Sequence, residues 1–145
     1  MAQSKSDLNF VLGVVGSDVH CIPNQLFERE FRHRGYNVIN LGVALSPNEV
    51  LESLEKVINP ILLLGTLNGD IEPIIATLRL IREEFGGSIP VIVGGNLVLG
   101  ENGKDRTLDL VDEGASLVIK NGIDIGEVID RVIQFIDTKV AIFSK

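Results

Sequence analysis

The sequence predicts a single α/β domain built on a parallel sheet, and three features of the chain support this. Apolar, β-branched runs alternate with longer segments in which apolar residues recur at helical spacing. Hydrophobic residues make up 45% of the chain but aromatic residues only 5%, so Val, Ile and Leu must form the core, as in strands buried on both faces. A chain of 145 residues suits one domain, with residues 1–9 and 138–145 as tails.

Five strand and helix units follow one another along the chain. The predicted strands span residues 10–15, 37–41, 61–64, 90–93 and 116–119. The predicted helices span residues 23–34, 46–58, 71–85, 107–113 and 124–136. Pro23 suits a first helical turn and Gly35 suits a helix end. Ser46, Pro47 and Glu49 form a capping-box motif at the start of the second helix.

This alternation predicts a doubly wound, flavodoxin-like (Rossmann-type) fold with the strand order 2-1-3-4-5. Right-handed crossovers place helices on both faces of such a sheet, and ligands bind beyond the carboxyl ends of its strands. Three loops meet at that edge: one begins at Ser17, one contains Gly65 and Thr66, and one contains Gly94 and Gly95. We therefore expect a ligand site there, although two glycines after a strand also suit a tight turn.

Composition and charge exclude several classes of protein. The formal net charge is −7 and the chain has no basic run, so no nucleic acid is expected as a partner. The single Cys excludes an intrachain disulfide and a cysteine-cluster metal site. No apolar run reaches about 18 residues, and residues 2–9 lack the apolar part of a signal peptide. We expect a soluble, cytoplasmic protein that makes no membrane contact.

The loop after the first strand carries the most distinctive pair of side chains, Asp18 and His20. An imidazole can bind a metal through one nitrogen while a carboxylate accepts a hydrogen bond from its other ring N–H. The alternative is that Asp18 caps the following helix and His20 is an ordinary loop residue. The neighbouring Cys21 suits a small apolar role.

The loop motifs of other protein classes with this fold do not match the loops of this chain. A phosphoacceptor receiver domain would carry an aspartate at the end of its third strand, where this chain has Gly65 and Thr66. The run from Gly13 to Asp18 lacks the spacing of a dinucleotide-binding glycine motif. Ser17 alone does not provide the Ser/Thr-rich phosphate loop of a flavodoxin.

Residues 12–20 (LGVVGSDVH), 37–43 (NVINLGV) and 93–100 (VGGNLVLG) resemble the small, cobalamin-binding (sigma) subunit of glutamate mutase, also called methylaspartate mutase. The resemblance extends in order and spacing over nearly the whole chain. It implies that His20 is the lower ligand of cobalt, in place of the cofactor's own benzimidazole, and that Asp18 holds its ring. It also implies that the nucleotide tail of the cofactor enters the domain between the loops after the third and fourth strands.

The residues that the resemblance assigns to the cofactor are Ser17, Asp18, Val19, His20, Cys21, Ile22, Gly65, Thr66, Leu67, Gly94, Gly95, Asn96 and Gly122. Two positions depart from the family's pattern. Pro23 stands where the first motif has a glycine, and Gly65 stands where the tail loop has a serine. Neither change removes the predicted metal ligand, and Gly65 creates space.

By this resemblance, the chain would hold adenosylcobalamin base-off and His-on for a larger barrel subunit, which rearranges glutamate to 3-methylaspartate. Isomerase activity would belong to the complex, and no catalytic residue is assigned to this chain. Two alternatives remain: a binding or regulatory module that has lost the cofactor, and a corrinoid carrier or methyl-transfer module. The isolated chain could also form a homo-oligomer.

Overall fold

Strands and helices alternate along the described part of the chain. The computed structural model describes residues 7–16, 22–66, 70–95, 98–99, 104–120 and 124–143. The strands are β1 (Asn9–Val15), β2 (Asn37–Leu45), β3 (Pro60–Thr66), β4 (Val91–Gly95), β5 (Val98–Leu99), β6 (Lys104–Asp105) and β7 (Leu117–Lys120). The helices are α1 (Ile22–His33), α2 (Pro47–Glu55), α3 (Glu72–Phe85), α4 (Thr107–Asp112) and α5 (Ile125–Phe143).

Five of these strands form one parallel sheet with the order β2-β1-β3-β4-β7. Because β7 is the fifth strand of the predicted series, the order 2-1-3-4-5 and the flavodoxin-like fold are confirmed. The antiparallel pair of β5 and β6 was not predicted. Each of these strands is only two residues long, which is too short to show an alternating pattern.

Helices pack on both faces of the sheet. One face is covered by α2, α3 and α4, which contribute buried residues such as Leu54 and Leu78. The other face is covered by α1 and α5, which contribute Phe31, Ile129 and Val132. We call the second one the α1/α5 face. Both faces are apolar because successive strand residues point to opposite sides and both sides are buried.

An aromatic cluster anchors α1 to the α1/α5 face. The rings of Phe10 and Phe31 stack with centroids 4.3 Å apart, and Tyr36 meets Phe10 edge-on at 5.3 Å. Both Phe rings are fully buried. Such contacts add to the stabilisation that the burial of the rings provides.

Several predicted boundaries are wrong by a few residues. Helix α5 continues to Phe143, so most of the predicted tail 138–145 is helical, because residues 127–143 contain no Gly or Pro that would end a helix. At the other end Leu8 is buried and Asn9 belongs to β1, so the first tail is shorter than predicted. Helix α2 ends at Glu55 rather than at 58. None of the described helices combines the length and apolar character that crossing a membrane requires.

Strand β2 continues to Leu45, four residues beyond the predicted end at 41. Its pairing with β1 shifts register twice on the way, after Leu12 and after Gly13. Two residues in this segment have positive φ, Gly42 at 95° and Ala44 at 55°. These bulges explain why the continuation does not follow a regular alternation of apolar residues.

Candidate functional site

The size of the side chains on the α1/α5 face changes abruptly toward the carboxyl ends of the strands. One row across four neighbouring strands consists of bulky residues paired in register: Leu12, Leu63, Ile92 and Leu117. The next row toward the carboxyl end consists of Val14, Gly65, Gly94 and Ile119. The two central positions of that row therefore have no side chain.

Gly65 and Gly94, which we call the glycine strip, lie side by side on β3 and β4 in the middle of the sheet. Both are partly exposed, although these strands are central. A Cβ added at Gly65 would have one described atom within 4 Å, the Gly94 carbonyl oxygen at 3.9 Å. A Cβ added at Gly94 would lie 3.4 Å from the Ile119 carbonyl oxygen. Neither glycine has a positive φ, so the backbone conformation does not require glycine at either position.

The residues that follow the glycine strip have other roles. Gly95 has a φ of 118°, and a Cβ there would overlap the carbonyl oxygen of Thr66. Thr66 is buried, and strand alternation places its side chain on the face opposite to Gly65. Backbone atoms therefore form the surface of the sheet at the glycine strip, and the apolar side chains of Val14 and Ile119 flank it.

The predicted cofactor loop, residues 17–21, lies between two described positions, Gly16 and Ile22. Before the loop, the Gly16 N–H donates to the Leu45 carbonyl oxygen at 2.8 Å. Gly16 has a φ of 79°, and a Cβ there would lie 2.6 Å from Cγ of Pro73. After the loop, α1 begins at Ile22. Pro23 is the second residue of α1, where a helix does not use the missing N–H.

A groove of about 530 Å³ lies between α1 and the edge strand β2. Asn24 and Glu28 of α1 and Asn40 and Gly42 of β2 contribute to its lining. Asn24 is buried and its amide donates to the Gly42 carbonyl oxygen at 3.5 Å. The Asn40 amide donates to Glu28 at 3.2 Å. This hydrogen bond, followed by that from Arg32, lowers the pKa of the Glu28 carboxyl.

The structure brings four of the predicted site residues together: Gly65, Thr66, Gly94 and Gly95 adjoin on β3 and β4. Ile22 begins α1. The other predicted residues, Ser17, Asp18, Val19, His20, Cys21, Leu67, Asn96 and Gly122, lie outside the described residues. Among the residues that are described, no group of three or more His, Cys, Asp or Glu side chains is placed to hold a metal ion.

The sequence analysis missed Asn24, Glu28 and Asn40. In the sequence, residues 24, 28 and 32 form a polar stripe at helical spacing, which is also what a solvent-facing helix surface shows. The following strand gives no matching signal, because residues 38, 40 and 42 are Val, Asn and Gly and two of them contribute only backbone carbonyls.

Similar proteins were found by sequence and by structure, whereas no family model matches the chain. The glutamate mutase sigma subunit of Clostridium cochlearium is 40% identical over 93 residues, which are 63% of this chain and 67% of that protein. The sigma subunit of Carboxydothermus hydrogenoformans is 36% identical over 99 residues, which are 66% of this chain and 70% of that protein. The matched segment thus spans about two thirds of the length of these relatives.

Among solved structures, a cobalamin-binding protein from Desulfitobacterium hafniense has a TM-score of 0.69 at 19% identity, covering 88% of this chain and 58% of that one. The methanol:cobalamin methyltransferase complex MtaBC from Methanosarcina barkeri has a TM-score of 0.66 at 26% identity, covering 91% and 48%. A response regulator receiver domain from Methanospirillum hungatei has a TM-score of 0.61 at 17% identity, covering 91% and 97%. The first and third of these show the shared fold alone.

Proposed function

This chain belongs to the family of glutamate mutase sigma subunits, and on that premise we propose that it binds a cobalamin at the carboxyl end of its sheet. The observation that carries the proposal is the glycine strip. Neighbouring strands lie about 4.8 Å apart, so two adjacent glycines leave a patch of bare backbone wide enough for a flat group. A ligand with a planar base can lie on this patch without displacing a side chain.

The glycine strip fits the nucleotide tail of a cobalamin in shape and chemistry. Its flanks, Val14 and Ile119, are apolar and buried, as is suitable for an aromatic base. Added Cβ atoms at the two glycines would project into the space that such a base would use. Gly65 and Gly94 would therefore hold the tail by close approach of the backbone.

We propose His20 as the lower ligand of cobalt and Asp18 as the residue that accepts a hydrogen bond from its ring. Gly16, directly before their loop, is held by its hydrogen bond to Leu45 after the end of β1, and α1 begins directly after the loop at Ile22. A single imidazole is sufficient because the corrin ring of a bound cofactor would supply the remaining nitrogen ligands of the cobalt. A carboxylate on the second ring nitrogen fixes the tautomer in which the first can bind a metal.

The finer proposal is that the cofactor is adenosylcobalamin and that the partner is a larger barrel subunit that binds the substrate. When bound, the cofactor supplies radical chemistry for rearranging a carbon skeleton, and the protein supplies binding and orientation. The described residues include no cluster of arginines at the glycine strip that could hold an amino-acid substrate. We therefore expect no turnover by the chain alone.

The test is a titration of the full chain, labelled with ¹⁵N-histidine, with cob(II)alamin, followed by electron paramagnetic resonance. Ligation by a protein histidine changes the nitrogen splitting from the ¹⁴N to the ¹⁵N pattern, whereas ligation by benzimidazole leaves the ¹⁴N pattern. His20→Ala should abolish the ¹⁵N pattern. His33→Ala is the matched control, because His33 is the other histidine of the chain and is exposed at the end of α1, and it should leave the pattern unchanged.

The likeness to the MtaBC complex favours a second candidate, a corrinoid carrier for methyl transfer. The two functions differ in the upper ligand of cobalt and in the partner. Mixing the loaded chain with a glutamate mutase barrel subunit and glutamate should give 3-methylaspartate only with adenosylcobalamin. Absence of product, together with methyl transfer from methylcobalamin to a thiol acceptor, would favour the carrier.

A further inference from the structure

Three hydrogen bonds connect α1 to the edge strand β2 at regular intervals. Asn24 donates to the Gly42 carbonyl oxygen at 3.5 Å, Glu28 accepts from Asn40 at 3.2 Å, and Arg32 donates to the Val38 carbonyl oxygen at 2.9 Å. The helix residues are four apart and the strand residues two apart. We call these contacts the polar ladder.

The polar ladder matches the geometry of its two elements. Four helical residues advance about 6 Å along the axis, and two strand residues advance about 6.6 Å. The helix and the strand run in opposite directions. Each advance of four residues along α1 therefore meets the residue two positions earlier on β2. Sliding α1 along β2 would break all three contacts at once, and the ladder therefore fixes the axial position of the helix.

The two contacts of the polar ladder made by Asn24 and Glu28 lie on the bulged segment of β2. Asn40 uses both ends of its amide, because its Oδ1 accepts from the Gly42 N–H at 2.9 Å while its Nδ2 donates to Glu28. The same segment ends at Leu45, whose carbonyl oxygen holds Gly16 at the start of the predicted cofactor loop. One segment of β2 thus restrains both the start and the end of that loop.

We propose that Asn40, together with Glu28, is a positioning element that fixes α1 against the bulged segment of β2 and thereby promotes ligation of the cobalt by His20. The inference rests on the proposed function. It assigns no chemistry to Asn40 itself. The lowest contact of the ladder, made by Arg32, lies one turn beyond Glu28 on α1, and Arg32 also donates from Nε and Nη2 to a Glu28 carboxylate oxygen at 3.3 and 3.0 Å.

The experiment compares three variants of the full chain. Asn40→Asp keeps an acceptor for the Gly42 N–H but places a carboxylate against Glu28. Combining Asn40→Asp with Glu28→Gln exchanges donor and acceptor and restores the contact. Arg29→Met is the matched control, because Arg29 is an exposed residue of the same helix that takes no part in the ladder. For each we measure cob(II)alamin affinity, the fraction of bound cofactor with the histidine splitting pattern, and thermal stability.

We expect Asn40→Asp to weaken cobalamin binding about tenfold, equivalent to about 1.4 kcal/mol, and to lower the histidine-ligated fraction. The double variant should return to within about threefold of the parent, and Arg29→Met should change affinity less than twofold. The inference is overturned if Asn40→Asp binds like the parent. It is also overturned if Arg29→Met weakens binding as much as Asn40→Asp.

A measurement without cofactor separates this inference from the proposed function. Amide hydrogen exchange of residues 22–28 should accelerate in Asn40→Asp and return in the double variant, while Arg29→Met leaves it unchanged. If the parent chain shows no histidine ligation, the proposed function is wrong and the exchange result alone decides whether the ladder fixes α1. Unchanged exchange in Asn40→Asp would refute it.

Discussion

Gly65→Ala should raise the stability of the free chain and lower its affinity for cobalamin. The added methyl would have its nearest described neighbour, the Gly94 carbonyl oxygen, at 3.9 Å, which is an ordinary contact. Since φ at Gly65 is not positive, alanine adopts this backbone without strain. Replacing a glycine at such a position stabilises a protein by about 0.4–1 kcal/mol, because the unfolded chain loses freedom.

The same methyl stands where the base of the nucleotide tail would lie. Inserting a methyl group into a filled site costs about 1–3 kcal/mol. That cost corresponds to a rise in Kd of about fivefold to about 150-fold. The two effects therefore have opposite signs, which a general loss of structure cannot produce.

Urea denaturation followed by circular dichroism measures the stability, and an absorbance titration with cob(II)alamin measures the Kd. Gly87→Ala is the matched control, because Gly87 lies beyond the end of α3, away from the glycine strip, and a Cβ there meets no described atom within 4 Å. It should be neutral or slightly stabilising and leave the Kd unchanged. A Gly65→Ala chain that gains stability and binds cobalamin as tightly as the parent would refute the role of the glycine strip.

Gly95→Ala provides a contrast at a neighbouring position. Its φ of 118° and the overlap of a Cβ with the Thr66 carbonyl oxygen should destabilise the chain by about 1–3 kcal/mol. Loss of cobalamin binding in Gly95→Ala would therefore reflect loss of structure. Only Gly65 separates the two causes cleanly, since Gly94 already lies at the limit of ordinary contact.

Three further predictions concern the body of the domain. Phe31→Ala removes a fully buried, stacked ring and should lower the free energy of unfolding by about 3–5 kcal/mol in urea denaturation; a loss under 1 kcal/mol would contradict the packing described. Burial, followed by the charge of Asp137, raises the pKa of Tyr36, the sole tyrosine of the chain. Its alkaline absorbance titration should therefore have a midpoint above about 10. The stability that the protonated Tyr36 contributes should be lost as pH rises through that midpoint. The pKa of Glu28 is lowered, chiefly by its hydrogen bond from Asn40, so the carboxylate contributes stability above the unfolded pKa and loses that contribution as pH falls. The stability difference between the parent and Glu28→Gln should therefore shrink below about pH 4. A difference that stays constant with pH would contradict this.

The strand order could be predicted because each strand and helix carries its own local signal. Ser46 and Glu49 illustrate this: the predicted capping box is present, with the Glu49 N–H donating to the Ser46 hydroxyl at 3.1 Å and the Glu49 side chain accepting from the Ser46 N–H at 3.1 Å. The continuation of β2 to Leu45 could not be predicted in the same way. Its bulges and its positive φ at Ala44 depend on pairing with β1, which no local pattern encodes.

The glycine strip was predictable only in part. The sequence indicates that Gly65 and Gly94 lie at the ends of two strands. It does not indicate that they pair in register on one face. Register depends on where each strand begins, and a shift of one residue would put the two glycines on opposite faces. The polar ladder was not predictable, because it requires α1 and β2 to be aligned within about one residue.

The fold itself cannot distinguish among the functions considered, because receiver domains and cobalamin-binding proteins share it almost equally. The distinction lies at the end of β3. A receiver domain needs a carboxylate there, but this chain has Gly65 on one face and the buried Thr66 on the other. Two glycines cannot supply an acid, a base or a nucleophile. They can supply space and backbone, so among the described residues the glycine strip offers a binding surface and no reactive group.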